Sequence, residues 1–265
     1  MKKLIIPLIC LFVVFAAAAQ DTNEENKKSR KEQREEKRRK IDELIRQEEE
    51  EGVLAFNKQS VFGIRLRTNG YGAFYELAKY QSQRVSMTYS IELDETKHNK
   101  EDKKFILFGN PYVYGKLNNF YNLKLGIGQQ RIIGQKGNKN GVAVFGIYSG
   151  GVSVGFLRPY YVEYNNNGVG EIIKYTPEDS VKFVEGPIIG AAGFSKGWNE
   201  LKLKPGAFAK AAIRFDWGRF NEVVSGLEAG ISVEYYSSKI PLMLFQDDKQ
   251  LFLQGHIAIL FGRRK

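Results

Sequence analysis

Residues 84–94 read RVSMTYSIELD, and apolar and polar side chains alternate through this stretch without a break. In an extended strand, successive side chains point to opposite faces. One face would carry Val85, Met87, Tyr89, Ile91 and Leu93. Strands that cross a membrane in a β-barrel show this alternation over about 9–11 residues. The stretch therefore predicts a membrane-spanning strand with an apolar outer face and a polar inner face.

The same alternation recurs along the rest of the chain. It is found in residues 61–68, 71–80, 120–130, 142–158, 206–217, 222–236 and 251–261. Asn69-Gly70 is the dipeptide that favours a type I′ hairpin turn between the first two segments. In 142–158 the phase changes at Gly150-Gly151, as a β-bulge would cause. The sequence predicts an all-β fold, a transmembrane antiparallel up-and-down barrel of about eight strands.

The connections between these segments differ in length in a regular way. Those after the second, fourth and sixth strands are short, at Ser82-Gln83, near 134–141 and at 218–221, whereas those at 95–118, 159–205 and 237–248 are long. Only the Asn69-Gly70 turn departs from this order. Short periplasmic turns and long outer loops are typical of outer-membrane barrels. Girdles of aromatic residues near the strand ends are also typical of outer-membrane barrels. The predicted members are Tyr71, Tyr121, Tyr160, Tyr161, Phe215, Trp217, Tyr235, Tyr236 and Phe261. These features favour a barrel over a soluble sandwich, with both barrel termini in the periplasm.

The inner faces of the predicted strands carry charges of both signs. The basic set is Arg65, Arg67, Arg84, Lys124, Lys210 and Arg214, and the acidic set is Glu76, Glu92, Asp94, Asp216, Glu228 and Glu234. His256 projects inward near Glu228 or Glu234. Side chains fill the interior of an eight-stranded barrel, and buried charges must be paired. We therefore predict a structural ion-pair network in the lumen instead of an open pore.

The N-terminal part predicts export. Residues 1–19 combine Lys2 and Lys3, an apolar run and a row of alanines, which is typical of a signal peptide cleaved before Gln20. Cys10, within it, is the only cysteine. Residues 20–56 are rich in helix-forming charged residues and are predicted to be a periplasmic segment, a spacer or a helix that docks a partner. Residues 57–265 form the predicted barrel domain.

Charge and residue types restrict the possible partners and chemistry. The net charge is +10, and for an exported chain we expect anionic outer-membrane lipid, including lipopolysaccharide, and not nucleic acid as the counterpart. Only His98 and His256 are available as histidine bases or ligands. Neither lies in a pattern that predicts a triad or a metal site. No catalytic, cofactor or metal residue is predicted, and an enzyme is the less favoured class.

Four short motifs carry a family resemblance. They are the Ala19-Gln20 end of the signal peptide, Asn69-Gly70-Tyr71-Gly72, Pro205-Gly206 and the ending Leu260-Phe261-Gly262-Arg263-Arg264-Lys265. Over most of residues 60–265 the chain resembles small outer-membrane barrels of the Bacteroidota type, an uncharacterised family. The resemblance implies a structural or accessory subunit of a larger transport or assembly complex. The alternatives are a small selective channel and a lipid-modifying barrel enzyme.

Overall fold

The computed structural model describes residues 32, 35, 36, 39, 57–105, 109–136, 141–218 and 222–265. The chain divides into two compact units, Met1–Asn57 and Lys58–Lys265. The predicted signal peptide lies outside the described residues, and so does the predicted periplasmic segment apart from Glu32, Glu35, Glu36 and Arg39, which are helical. In the described part of the chain, no helix is long and apolar enough to cross a membrane.

The second unit consists mainly of strands. In chain order its elements are β1 (Lys58–Arg67), β2 (Gly70–Ser82), β3 (Val85–Thr96), β4 (Lys103–Lys104), β5 (Tyr112–Val113), β6 (Asn118–Gly134), β7 (Ala143–Pro159), β8 (Tyr161–Asn166), β9 (Val169–Lys174), α1 (Ser180–Glu185), β10 (Ile188–Ala191), a 3-10 turn (Trp198–Glu200), β11 (Lys202–Asp216), β12 (Val223–Ile240) and β13 (Lys249–Arg264).

Eight of these strands form a closed antiparallel barrel. Their order around the barrel is β1-β13-β12-β11-β7-β6-β3-β2, so each strand pairs with its sequence neighbours among the eight. The first and last strands close the ring, with Gln59 opposite Arg264 and Arg67 opposite His256. The predicted up-and-down barrel of eight strands is therefore confirmed. Closure leaves no barrel strand with an unpaired edge.

The distribution of side chains is the reverse of that in a soluble protein. In β1, Ile64 and Leu66 expose 61% and 68% of their surface, whereas Arg65 between them exposes 2%. Apolar residues cover the outside of the barrel and charged residues fill the inside. Exposing so much apolar surface to water is unfavourable, but it suits contact with lipid chains. The barrel has the surface of a transmembrane barrel.

The connections sort by length to the two ends of the barrel. The turn end carries the short connections 83–84, 135–142 and 217–222, and the loop end carries the long connections 97–117, 160–201 and 241–248. The two-residue turn at 68–69, which also lies at the loop end, is the exception. Both ends of the barrel chain lie at the turn end, where the amide of Lys58 donates to the carbonyl of Lys265 at 2.7 Å. The small strands β4, β5 and β8–β10 belong to the long connections, which we call together the cap.

Two details of the predicted strands are wrong. The hairpin turn was predicted at Asn69-Gly70, but Arg67 pairs with Gly70, so Thr68 and Asn69 form the turn. A type I′ turn needs a positive φ at both central residues. Among the described non-glycine residues only Asn167 has a positive φ, so the turn is not of type I′. Gly70 is needed because a Cβ there would lie 1.9 Å from the Glu95 carbonyl oxygen.

The second wrong detail is the bulge at Gly150-Gly151. Both glycines pair in continuous register with β6 and β11. The apparent change of phase arises because Phe145 and Ile147 lie inside the lumen, where they are 0% and 3% exposed. An apolar residue on the inner face looks, in the sequence, like a residue of the outer face.

Candidate functional site: the charged lumen and its cap

The lumen network is a set of buried charges contributed by all eight barrel strands except β7. It contains six cations, Arg65, Arg67, Lys124, Lys210, Arg214 and Arg264, and six carboxylates, Glu76, Glu92, Asp94, Asp216, Glu228 and Glu234. None of the twelve exposes more than 7% of its surface. The inward phase of the strands places these side chains in the narrow interior, where they meet across the barrel.

Near the loop end, two cations and two carboxylates alternate in a ring. Lys124 Nζ lies 2.6 Å from Asp94 Oδ2, and Arg67 Nη1 lies 2.9 Å from the same oxygen. Glu234 pairs with both Lys124 and Arg67. Each charge in this ring therefore has two neighbours of opposite sign.

Below this ring, Glu92 and Glu228 hold the middle of the lumen. Arg65 Nη1 and Lys210 Nζ lie 2.6 and 2.7 Å from the carboxylate oxygens of Glu92. Both cations also lie 3.8 Å from Glu228 Oε1. His256 Nε2 lies 3.2 Å from that oxygen. Glu228 thus joins the two cations to the histidine.

Towards the turn end, Arg214 links two strands across the lumen. It donates to Glu76 at 2.7 and 3.1 Å and to Glu228 at 2.7 and 3.1 Å. Arg264 pairs with Asp216 and donates to Gln59 at 2.8 Å. Ion pairs therefore run along the barrel interior from the loop end to the turn end.

The structure places twelve of the thirteen predicted lumen residues in this interior. The exception is Arg84, which lies in the exposed turn between β2 and β3. Its place among the cations is taken by Arg264, which the sequence reading missed. The signal was present, because Arg264 continues the inward phase of His256, Ala258, Leu260 and Gly262. The strand was predicted to end at Phe261, three residues too early.

Two apolar clusters accompany the charges. At the loop end, Phe120 lies edge-on to Tyr236 and stacked on Phe252, with ring centroids 5.0 and 6.1 Å apart. Cap residues join this cluster, which also contains Val113, Leu157, Ile240, Leu242 and Met243. The second cluster lies nearer the turn end and contains Val61, Phe74, Val224, Ala258 and Leu260. The first cluster packs across the loop-end mouth of the lumen.

The prediction that Tyr236 belongs to the outer aromatic girdle is wrong. It faces inward and is 0% exposed, and its hydroxyl donates to Glu234 at 3.0 Å. Tyr160 and Tyr161 follow the last residue of β7 and belong to the cap. The remaining members of the predicted girdle lie on the outer face, near one end of the barrel or the other.

Each of the two histidines has a polar partner. His256 contacts Glu228 inside the lumen, and His98 Nδ1 accepts a hydrogen bond from the amide of Lys100 at 3.2 Å. Burial, together with nearby Lys249, lowers the pKa of His98. Within the described ranges, no group of three or more His, Cys, Asp or Glu residues could hold a metal ion.

Comparison with known proteins gives structural neighbours only. No family model and no curated protein matches the chain. Neisserial surface protein A is similar with a TM-score of 0.39 and 7% identity, over 78% of this chain and 96% of that one. The Yersinia pestis attachment invasion locus protein Ail is similar with a TM-score of 0.36 and 10% identity, over 79% of this chain and 99% of that one. The N-terminal barrel domain of Pseudomonas aeruginosa OprF is similar with a TM-score of 0.33 and 7% identity, over 78% of this chain and 98% of that one.

Proposed function

We propose that this chain is a non-catalytic outer-membrane barrel with a structural role, which holds its cap at the cell surface. The observation that carries the proposal is the filled lumen beneath a packed cap. A diffusion channel needs a continuous aqueous path, and a selective one needs its charges separated by sign. Here the signs alternate at contact distance, and Phe120, Tyr236 and Phe252 cover the charges. The space that a channel would use is occupied by side chains.

The proposed orientation follows from the two ends of the barrel. The turn end has short connections and carries both ends of the barrel chain, as expected for a periplasmic end. The cap at the other end contains a three-stranded sheet of β8, β9 and β10 with its own apolar cluster of Val162, Ile173 and Phe183. In this proposal the cap is a folded surface structure and not a set of separate loops.

Cysteine labelling tests this orientation. In a chain with Cys10→Ala, we expect Glu178→Cys in the cap to react with a membrane-impermeant maleimide on intact cells. The matched variant Gln83→Cys, which is also exposed but lies at the turn end, should react only after the outer membrane is opened. Labelling of Gln83→Cys in intact cells and protection of Glu178→Cys would reverse the proposed orientation.

We further propose that the protein is an accessory subunit of a larger transport or assembly complex and belongs to the Bacteroidota type of small outer-membrane barrels. It is motivated by the family resemblance in sequence. We expect the natively expressed protein, extracted in mild detergent, to migrate with partners as a large assembly. Migration as a single micelle-bound chain would contradict the accessory role and leave the structural role of the barrel in place.

A further inference from the structure

A cavity of about 400 Å³ lies at the rim of the loop end, outside the lumen network. Its floor includes Tyr71, Glu95 and Tyr121, which lie opposite one another on β2, β3 and β6. The next outward residues below them on β3 and β6 are Leu93 and Leu123. The cavity, which we call the rim pocket, therefore opens directly above the apolar outer band. Its volume falls in the range of small-molecule sites.

The rim pocket has an excess of positive charge. Lys97, Lys103, Lys116, Arg158 and Lys196 line it, against the carboxylates of Glu95 and Glu101. Each carboxylate already has a partner in the structure. Lys116 Nζ lies 2.7 Å from Glu101, and the Tyr71 hydroxyl donates to Glu95. Among the described residues, the other four cations form no ion pair.

Arg158 is held in place without a counterion. Only 5% exposed, it lies with its guanidinium carbon 4.6 Å from the Phe194 ring centroid, 4.9 Å from that of Trp198 and 5.5 Å from that of Tyr121. Its Nη1 donates to the Phe194 carbonyl at 2.6 Å, and its buried Nε has no hydrogen-bond partner in the described part of the chain. A fixed guanidinium with unused donors is suited to a phosphate group.

Aromatic side chains supply the remaining walls. Tyr71, Tyr121, Tyr160 and Phe194 line the pocket. Aromatic rings with a polar edge are favoured where apolar and hydrated groups meet. Such walls fit a ring that carries both C–H faces and hydroxyl groups, which is the character of a sugar.

We propose that the rim pocket binds a phosphorylated sugar, carried as the headgroup of an anionic glycolipid in the outer leaflet. The acyl chains would lie along the outer band that includes Leu93 and Leu123, while the phosphate reaches Arg158, Lys103 and Lys196. This inference rests on the proposed membrane orientation, because only in that orientation does the pocket face the headgroups of the outer leaflet. It gives the expected lipid partner a defined site.

Trp198 provides the readout for a test. It stacks on Tyr121 with centroids 5.6 Å apart and lies edge-on to Phe194 at 5.2 Å. The only other tryptophan is Trp217, at the turn end, and Trp217→Phe removes its signal. In detergent-solubilised full-length protein with Trp217→Phe, glucose 1-phosphate should give a saturable change in Trp198 fluorescence. Glucose and inorganic phosphate should each bind at least about tenfold more weakly, since each offers half of the contacts.

Variants tie the signal to the pocket. Lys103→Gln and Lys196→Gln are exposed changes that leave the fold intact, and each should weaken binding about tenfold by removing a charge-assisted contact. Lys104→Gln is the matched control, since Lys104 adjoins Lys103 but lies over the Tyr114 ring at 4.3 Å. Equal affinity in the Lys103→Gln and Lys104→Gln variants, or no saturable response to glucose 1-phosphate, would overturn the proposed site.

Nanodiscs separate a lipid headgroup from a free sugar phosphate. Phosphatidylcholine discs with diphosphorylated lipid A should change Trp198 fluorescence, and discs with dephosphorylated lipid A should not. A response to free glucose 1-phosphate without one to lipid A would overturn the lipid source. This outcome differs from failure of the proposed function, because the detergent titration does not depend on where the protein resides in the cell.

Discussion

The Arg214→Met variant is expected to lose about 3–5 kcal/mol of unfolding free energy, the largest effect predicted for a single lumen cation. Arg214 makes hydrogen bonds to both Glu76 and Glu228 and is 1% exposed. Its removal leaves Glu76 without a cation partner among the described residues and deprives Glu228 of its closest cation. Two carboxylates would then stay buried with too little positive charge.

Urea unfolding in lipid vesicles, followed by tryptophan fluorescence, measures this loss. Arg84→Met makes the same chemical change at an exposed turn, and we expect it to alter the unfolding free energy by less than about 0.5 kcal/mol. Adding Glu76→Gln to Arg214→Met should restore part of the loss, because it removes one uncompensated charge. Equal destabilisation by Arg84→Met and Arg214→Met would contradict the arrangement of the network.

The Phe120→Ala variant is expected to be similarly unstable, by about 3–5 kcal/mol, because it opens a cavity in the apolar cluster at the loop end. Phe120 is 0% exposed and contacts both Tyr236 and Phe252. The same unfolding experiment applies. Phe105→Ala is the matched control, since Phe105 is 80% exposed, and its effect should be small. A Phe120→Ala protein as stable as Phe105→Ala would show that this cluster does not hold the cap and barrel together.

The sequence predicted the barrel because strand alternation is a local property. Residues 84–94 fix which side chains of one strand face inward, and the repeated pattern fixes the others. The inward charges Glu92, Lys124 and Glu228 could be collected in the same way without knowing their contacts. Which cation meets which carboxylate could not be predicted, because it depends on the stagger of the strands around the ring.

The errors arise where local rules compete with packing. Phe145 and Ile147 are apolar residues inside the lumen, so the outer face could not be recognised from hydrophobicity alone. Gly70 is the first residue of β2 and pairs with Arg67, so the turn lies at Thr68-Asn69, and the Glu95 carbonyl leaves no room for a side chain at Gly70. The residues that surround these positions in space come from other strands, so they cannot be recognised from the local sequence.

The rim pocket could not be predicted at all. Its residues come from strand ends and from two long connections that have no periodic pattern. Tyr71 and Tyr121 were recognised as residues of an aromatic girdle, but Arg158 gave no signal, because it lies on the outer face of β7 under a covering loop. Only the folding of residues 191–198 back over the barrel rim brings Phe194 and Trp198 to Arg158.

Single-channel recording in planar bilayers shows whether side chains close the lumen. The purified barrel should insert and give no steady conductance, because Arg65, Glu92 and their neighbours fill the interior beneath Phe120 and Tyr236. Insertion can be verified independently by recovering the protein from the same lipid in protease-protected form. Large, stable conductance steps from the unaltered protein would contradict a closed lumen, since they require an aqueous path where the ion pairs lie.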